Sequence, residues 1–420
     1  MAPERVCLAY SGGLDTSTIL RWLVLEGYEV VCFLGDCGQE EDFDAVKAKA
    51  LKLGAEKMII ENVQQELIDD LVWPAIQCNA IYEGQYLLGT SLARPAPQVR
   101  FELAWKACDP KMKILAPWRI PAFFNRFQGR ADLLKFAKEQ DIPVSSTPKA
   151  PWSMDDNIIH CSYEAGILEQ TDMEPPKDMW KRTVDPLDAP DKPTRFTVYF
   201  AEGVPVKLEV GGKAVTGSLE IFKEANELGR ANGIGREDIV ESRFIGLKSR
   251  GCYDTPGLTI LRKLHQNLES RLLGQNPLAV YKRGCLKSPR KPKGLRLLAQ
   301  SSWTSAPEAH GFCSPAFGLV MDSKGMYFTP EREFVQQSIS ISQKQVDGKV
   351  EALAYKGNVI IVGRSSETSN LYSEEESSMD TLEMDWSVED TTGFINVNAI
   401  RIAKYGERKI RDGEPLSKRK

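Results

Sequence analysis

The chain has 420 residues, enough for two domains, with 42% hydrophobic and 27% charged residues, the ordinary balance of a globular protein. A net charge of -4 argues against a dedicated nucleic-acid binder, and no apolar run is long enough to span a bilayer. The nine cysteines (Cys7, Cys32, Cys37, Cys78, Cys108, Cys161, Cys252, Cys285, Cys313) contain no Cys-x-x-Cys pair and follow no export leader, so they read as reduced thiols of a cytoplasmic protein.

Val6-Cys7-Leu8-Ala9 predicts a first strand, and Thr18 to Leu25 a helix. Between them lies Tyr10-Ser11-Gly12-Gly13-Leu14-Asp15-Thr16-Ser17. Adjacent glycines let the backbone approach a ligand and take positive φ. Ser11, Thr16 and Ser17 add hydroxyls, and the free N–H groups of the first helical turn favour an anion in the same space. Asp15, Thr16 and Ser17 are also ordinary helix-capping residues. The full order of strand, Ser-Gly-Gly-x-Asp-Thr-Ser and helix points beyond capping, to phosphate binding. It is neither a Walker loop nor a dinucleotide fingerprint, since Gly-Lys-Ser/Thr and Gly-x-Gly-x-x-Gly are both absent.

Glu29 to Leu34 predicts a buried strand ending at Gly35-Asp36. Gln39 to Leu53 predicts a helix stopped by Gly54, Lys57 to Glu61 a third strand, and Gln65 to Ala80 a further helix. This alternation is the pattern of an α/β domain with a parallel sheet, whose ligands lie beyond the carboxyl ends of the strands. The loops at Ser11 and Gly35 therefore belong to one site. Tyr82 to Pro97 reads as a loop, Gln98 to Ala107 as a helix, Lys113 to Pro117 as a strand and Asp132 to Glu139 as a helix. Proline-rich texture from Ile142-Pro143-Val144 marks a boundary between a domain over 1–143 and a second over 144–400.

In the second domain Thr194 to Val215 alternates around Gly211-Gly212 as a hairpin, and Leu219 to Ala231 reads as an amphipathic helix. Asp238 to Gly251 is strand-like, and Phe334 to Gln345 is helical. Lys349 to Tyr355 and Asn358 to Gly363 are strands around Lys356-Gly357. The tail, 401–420, is polar and basic from Ala403, either frayed or an oligomerisation arm. Arg271 to Pro307 holds eight basic residues and no acid. Its core, Lys282 to Lys293, has no clear period, and it reads as a disordered insert or non-native coding sequence sooner than as a nucleic-acid-binding arm. Three histidines (His160, His265, His310) give no support to a zinc site.

Taken in order, six motifs resemble those of the argininosuccinate synthase family, within the PP-loop ATP pyrophosphatases. They are Ala9 to Ser17, Tyr86-Leu87-Leu88-Gly89-Thr90-Ser91-Leu92-Ala93-Arg94-Pro95, Gln98-Val99-Arg100-Phe101-Glu102, Ala116-Pro117-Trp118-Arg119, Pro151-Trp152-Ser153-Met154-Asp155 and Lys248-Ser249-Arg250-Gly251. The resemblance runs to about Asn267 and resumes from Gly325 to about Tyr405. It implies a Rossmann-like ATP-pyrophosphatase domain, an α+β synthetase domain and a C-terminal oligomerisation tail, in a cytoplasmic homotetramer without nucleic-acid or membrane partners. The implied reaction joins citrulline to aspartate. ATP and magnesium activate citrulline as citrullyl-AMP, and no covalent enzyme intermediate is needed.

By the same resemblance, Ala9, Tyr10, Ser11, Gly12, Gly13, Leu14, Asp15, Thr16 and Ser17 hold ATP, with Gly35 against the adenine. Tyr86, Ser91, Arg100, Ser153, Ser162, Glu241 and Tyr253 match citrulline-binding positions. Arg100 suits an α-carboxylate and Glu241 an α-ammonium. Read singly, Tyr86 is more readily a core aromatic, Ser153 a helix cap and Glu241 a solvated surface carboxylate, and only their co-occurrence with the loop at Ser11 favours the binding role.

Two departures stand out. Between Pro95 and Gln98 the chain has only Ala96-Pro97, where the family carries a helix, a strand and a glycine-rich loop with its aspartate-binding residues. The absent strand pairs beside the first strand, so its loss leaves backbone groups of the sheet unpaired or draws another strand into the gap. The second departure is the stretch from about Glu269 to Lys324. Both have abrupt edges flanked by matching motifs, which points to misassigned exon boundaries, with an inactive paralogue as the alternative. A tRNA-thiolating relative is a third reading, disfavoured by the acidic charge and the lack of paired cysteines.

Overall fold

In the computed structural model, which describes residues 3–82, 86–87, 98–143, 152–242, 247–272, 328–368 and 387–413, the N-terminal alternation folds as expected. Strands β1 (Arg5–Ala9), β2 (Glu29–Asp36) and β3 (Lys57–Asn62) form a parallel sheet in that order, with Ala9 opposite Phe33 and Phe33 opposite Ile59. Helices α1 (Leu14–Leu25) and α2 (Phe43–Lys52) are the crossovers. Two right-handed crossovers in the same direction lie on one face. There Leu20, Leu23, Ala50 and Leu53 bury Val30, Cys32 and Met58, together with Phe123, Phe127, Leu133 and Phe136. On the other face Cys7 is exposed and Phe33 is 38% exposed. Strands of a parallel sheet are ordinarily covered on both faces.

Lys113 to Pro117 does not form the expected strand. Met112 to Ala116 is coil, followed by a 3₁₀ turn at Pro117–Arg119. Leu115 still packs against the N-terminal core, but a strand needs a hydrogen-bonded neighbour. Among the described residues β1 is the edge of its sheet, paired with β2 alone.

The helix expected over Gln65 to Ala80 is three pieces: α3 (Gln64–Glu66), a π-helical turn (Leu67–Val72) and α4 (Trp73–Gln77). Pro74 has no N–H to donate to the carbonyl of Asp70, and the helix widens just ahead of it. Its apolar side, from Leu67 to Ile76, is buried in the core of the following region, not in that of the parallel sheet. The expected loop from Tyr82 contains a short pairing of β4 (Ile81–Tyr82) with β5 (Tyr86–Leu87). Helices α5 (Gln98–Cys108), α6 (Pro121–Phe124) and α7 (Arg130–Glu139) follow.

Beyond residue 151 the sheets are antiparallel. Strands β6 (Ser153–Asp156), β7 (Cys161–Glu164), β11 (Arg236–Ser242) and β12 (Lys248–Asp254) form one in the order β11-β12-β7-β6. Asp238 to Gly251, read as a single strand-like stretch, thus divides between two strands. The other sheet has the order β10-β9-β8-β13-β14, from β8 (Thr194–Ala201), β9 (Val204–Val210), β10 (Lys213–Thr216), β13 (Gly348–Tyr355) and β14 (Asn358–Ser365). Gly211-Gly212 turns as expected, with φ of +58° and +80°, but an earlier turn at Glu202-Gly203 (φ +49° and +76°) makes the segment a three-stranded meander. Helices α8 (Ser218–Ala231) and α9 (Pro256–Leu272) bury Phe222, Ile260, Leu261 and Leu264 in the core that also holds Val198 and Val350.

Helix α9 continues through buried Glu269, past the point where irregular sequence was expected to begin, and α10 (Pro330–Gln343) starts shortly after it was expected to end. Residues 273–327, with the basic run, and 144–151, at the expected domain boundary, lie outside the described residues. Residues 370–420 form a separate compact unit. In it α11 (Val388–Arg411) is helical well into the supposed polar tail, started by a capping box between Ser387 and Asp390. Among the described residues no helix is long and apolar enough to cross a membrane.

Candidate active site

The Ser11–Ser17 loop sits where β1 hands over to α1. Gly13 is the N-cap residue and Gly12 has a φ of +76°. The capping reading does not hold, because no side chain caps α1. The hydroxyls are committed elsewhere. Thr16 Oγ1 lies 3.2 Å from Ser11 Oγ and donates to the Gly13 carbonyl at 3.4 Å, while Ser17 Oγ donates to the Gly12 carbonyl at 3.3 Å. The first helical backbone bond is Ser17 N–H to Gly13 O at 3.0 Å. The N–H groups of the turn before it are thus left facing outward, with the positive end of the helix dipole behind them.

The loop residues divide by role. Ser11, Gly13 and Asp15 are exposed. Tyr10 and Ser17 are buried, with Tyr10 Oη 3.1 Å from Ser17 Oγ beneath the loop. These two support the loop from below. Lys49 of α2 was not singled out by sequence, yet its Nζ donates to the Gly12 carbonyl at 2.7 Å. Burial lowers its pKa. Val46, one helical turn earlier, closes on Gly12, where a Cβ would come within 3.2 Å of Val46 Cγ2. Nothing in one sequence separates Lys49 from Lys47 or Lys52; its role comes from where α2 lands.

Gly35 is the penultimate residue of the neighbouring strand β2. A Cβ there would meet Val63 Cγ2 at 3.3 Å, so the bare backbone keeps the end of β2 open. Asp36 braces that end. It accepts from Gly38 N–H at 2.8 Å, Asn62 Nδ2 at 2.9 Å and Gln64 Nε2 at 3.0 Å. The loop then meets the β6–β7 hairpin, where Ile158 N–H donates to the Cys37 carbonyl at 2.8 Å.

The four-stranded sheet gathers most of the second residue set. Register pairs Tyr253 with Ser162 and with Glu237, and Ser162 with Asp155. Counting along each strand by twos, Ser153, Ser162, Glu241 and Tyr253 all fall on one face. Tyr253 is 2% exposed and its Oη donates to Glu241 Oε1 at 2.8 Å. The ring lies over Gly251, where a Cβ would sit 2.5 Å from Tyr253 Oη. Glu241 is half-buried, not a solvated carboxylate, and Ser153 lies in a strand, not at a helix cap. The Ser162 hydroxyl is buried and has no hydrogen-bond partner among the described residues. An orphaned buried hydroxyl ordinarily signals a missing polar partner. Tyr86 lies in β5 and Arg100 in the first turn of α5; Ser91 falls outside the described residues.

Comparison with known proteins bears on the family of the chain. Residues 5–97 match the model of the arginosuccinate synthase N-terminal HUP domain, and residues 152–286 and 318–405 that of the arginosuccinate synthase C-terminal domain. The chain is 47% identical to the argininosuccinate synthase of Saccharomyces cerevisiae over 449 residues, covering 99% of this chain and 100% of that protein. It is 42% identical to that of Homo sapiens over 428 residues, covering 95% and 96%. The yeast alignment is longer than this chain, so the relative carries residues with no counterpart here. With both domain models and relatives of this identity spanning nearly its whole length, the chain belongs to the argininosuccinate synthase family.

Proposed function

We propose that the chain catalyses the joining of citrulline to aspartate, with ATP converted to AMP and diphosphate. The uncapped N-terminus of α1 carries this reading, because its outward N–H groups suit the β- and γ-phosphates that leave as diphosphate. In the first step the ureido oxygen of citrulline attacks the α-phosphorus, an O–P bond forms, and the bond to diphosphate breaks. In the second the aspartate amine attacks the activated ureido carbon, a C–N bond forms, the amine gives up a proton to solvent, and the C–O bond breaks so that AMP leaves carrying that oxygen. The protein's part is positioning and charge stabilisation. Glu241, oriented by Tyr253, receives the α-ammonium of citrulline, and Ser162 offers a hydroxyl on the same face. Tyr86, Ser91 and Arg100 complete that subsite in this proposal, with Ser153 at its rim.

Among the described residues no three carboxylate, thiol or imidazole groups converge on a metal site. Asp15 is exposed in the first turn of α1. This donor set suits a magnesium ion held mainly by the nucleotide's own phosphates and water. Such an ion supplies neutralisation of phosphate charge. The aspartate half of the reaction is the weak one in this proposal, in keeping with the two-residue link Ala96-Pro97 between Pro95 and Gln98 and with the edge position of β1 among the described residues. We place the activity in the cytoplasm, in keeping with free thiols at all seven described cysteines.

The test uses the purified full chain with ATP and magnesium. Citrulline-dependent diphosphate release without aspartate is expected, with argininosuccinate formed slowly or not at all. Diphosphate release no faster than in a citrulline-free blank would sink the reading. Rapid, repeated turnover to argininosuccinate would remove the proposed aspartate defect.

A further inference from the structure

The turn at Lys181–Arg182 ties together parts of the molecule that hold different substrates in the proposed reaction. Its backbone is fixed to the four-stranded sheet. Arg182 N–H donates to Asp254 Oδ2 at 2.9 Å, and Lys181 N–H donates to Tyr163 Oη at 2.6 Å. Asp254 and Tyr163 are the immediate sequence neighbours of Tyr253 and Ser162. The side chains reach the other way. Arg182 Nε donates to Asp156 Oδ1 at 2.7 Å, and its Nη2 lies 2.6 Å from the same oxygen and 3.3 Å from the Gly38 carbonyl. Lys181 Nζ bridges Asp156 Oδ2 at 2.7 Å and Glu40 Oε2 at 3.3 Å.

The Arg182 and Asp156 side chains are only 11% and 7% exposed, so this ion pair is screened far less than a surface pair. Gly38 has a φ of +80°, and a Cβ there would strike Ile158 Cβ at 2.8 Å. The loop after β2 is therefore pressed on the β6–β7 hairpin, bonded to it by Ile158 N–H, and held from the side by Arg182.

We infer that Arg182 is a positioning residue that clamps the loop after β2 to the β6–β7 hairpin and so couples nucleotide binding to citrulline binding. The inference rests on the proposed function for the identity of the two ligands. A shift of the loop on nucleotide binding reaches Asp156 through the guanidinium, and the sheet face through β6 and β7. The reverse path runs from Tyr253 through Asp254 to the Arg182 backbone. Lys cannot reproduce the clamp in full, because one ammonium lacks the planar fork that spans a carboxylate and a carbonyl together.

The test compares the wild-type chain with Arg182→Met and Arg182→Lys at full length. Arg182→Met leaves Asp156 paired with Lys181, so no charge is stranded. Hydrogen exchange of the Ile158 amide, which donates to Cys37, reads the clamp without any ligand. Citrulline affinity with and without a non-hydrolysable ATP analogue reads the coupling.

The expected result in Arg182→Met is Ile158 exchange about tenfold faster. Coupling falls from at least about fivefold in the wild type to below about twofold. Each ligand alone binds within about threefold of wild type, and Arg182→Lys is intermediate. Unchanged Ile158 exchange in Arg182→Met overturns the clamp. Faster exchange with full coupling overturns the link between the sites. Wild-type chain that binds neither ligand overturns the proposed function and the coupling with it, while the exchange measurement still decides the clamp.

Discussion

Lys49 is the clearest case of a residue whose importance depends on where its helix lands. It places a partly desolvated ammonium on the Gly12 carbonyl, beside the N-terminus proposed to receive the phosphates. Lys49→Met removes a charge-assisted bond and a nearby cation. It should weaken inorganic diphosphate binding by about tenfold, measured by calorimetry; unaltered affinity would dissociate Lys49 from the site.

Asp254 offers a test of opposite sign from an ordinary carboxylate. Burial raises its pKa from 3.8 to about 6, against the lowering effect of Thr183 and of the Arg182 N–H. The folded state therefore holds its proton more tightly than the unfolded state. The stabilisation is full below pH 3.8 and is lost as pH rises through about 6. Two units correspond to a contribution on the order of 3 kcal/mol. Asp254→Asn should flatten the fall in stability between pH 4 and 6 relative to wild type in urea titrations. Parallel pH profiles for the two proteins would show that Asp254 titrates normally.

At the scale of elements, among the described residues the parallel sheet is open on one face and at one edge. Cys7, on β1, is exposed, whereas Cys32 on β2 faces the core with its pKa pushed up to about 12. A small maleimide at neutral pH should therefore label Cys7 and Cys108 while Cys32, Cys78, Cys161 and Cys252 stay protected until unfolding. Cys7 as slow as Cys32 by peptide mass spectrometry would mean that the face is covered in solution. The strand expected at Lys113 to Pro117 lacks a neighbour. The apolar run was legible, and Leu115 does reach the core, but a strand forms only against a partner, and among the described residues no strand pairs with the 112–116 segment. By contrast, the Lys356-Gly357 turn needed no such neighbour information, since two consecutive positive φ values, +40° and +80°, suit a two-residue hairpin.

For the whole molecule, the C-terminal unit bears on association. Helix α11 exposes Phe394 at 71%, Ile395 at 57% and Ile402 at 68% in the single chain. Ile395 and Ile402, seven residues apart, share a side of the helix, a spacing suited to packing on another helix. If the chain assembles through this helix as the homotetramer that the family resemblance implies, the double change Ile395→Glu with Ile402→Glu should lower the mass seen by light scattering to that of a smaller species. The secondary structure should remain unchanged. A mass equal to the wild type's would take α11 out of the interface.

The order of strands and helices in the first hundred residues, the turn that joins β1 to α1 and the family all followed from local pattern, because period, glycine pairs and hydroxyl spacing are properties of neighbours in sequence. The single face carrying Ser153, Ser162, Glu241 and Tyr253 did not. It depends on the register between β6, β7, β11 and β12, segments separated by up to about a hundred residues. The landing of Lys49 on the Gly12 carbonyl and the Arg182 clamp between loop and hairpin were likewise decided by tertiary structure. Each joins residues far apart in the chain, which no single stretch of sequence contains within itself.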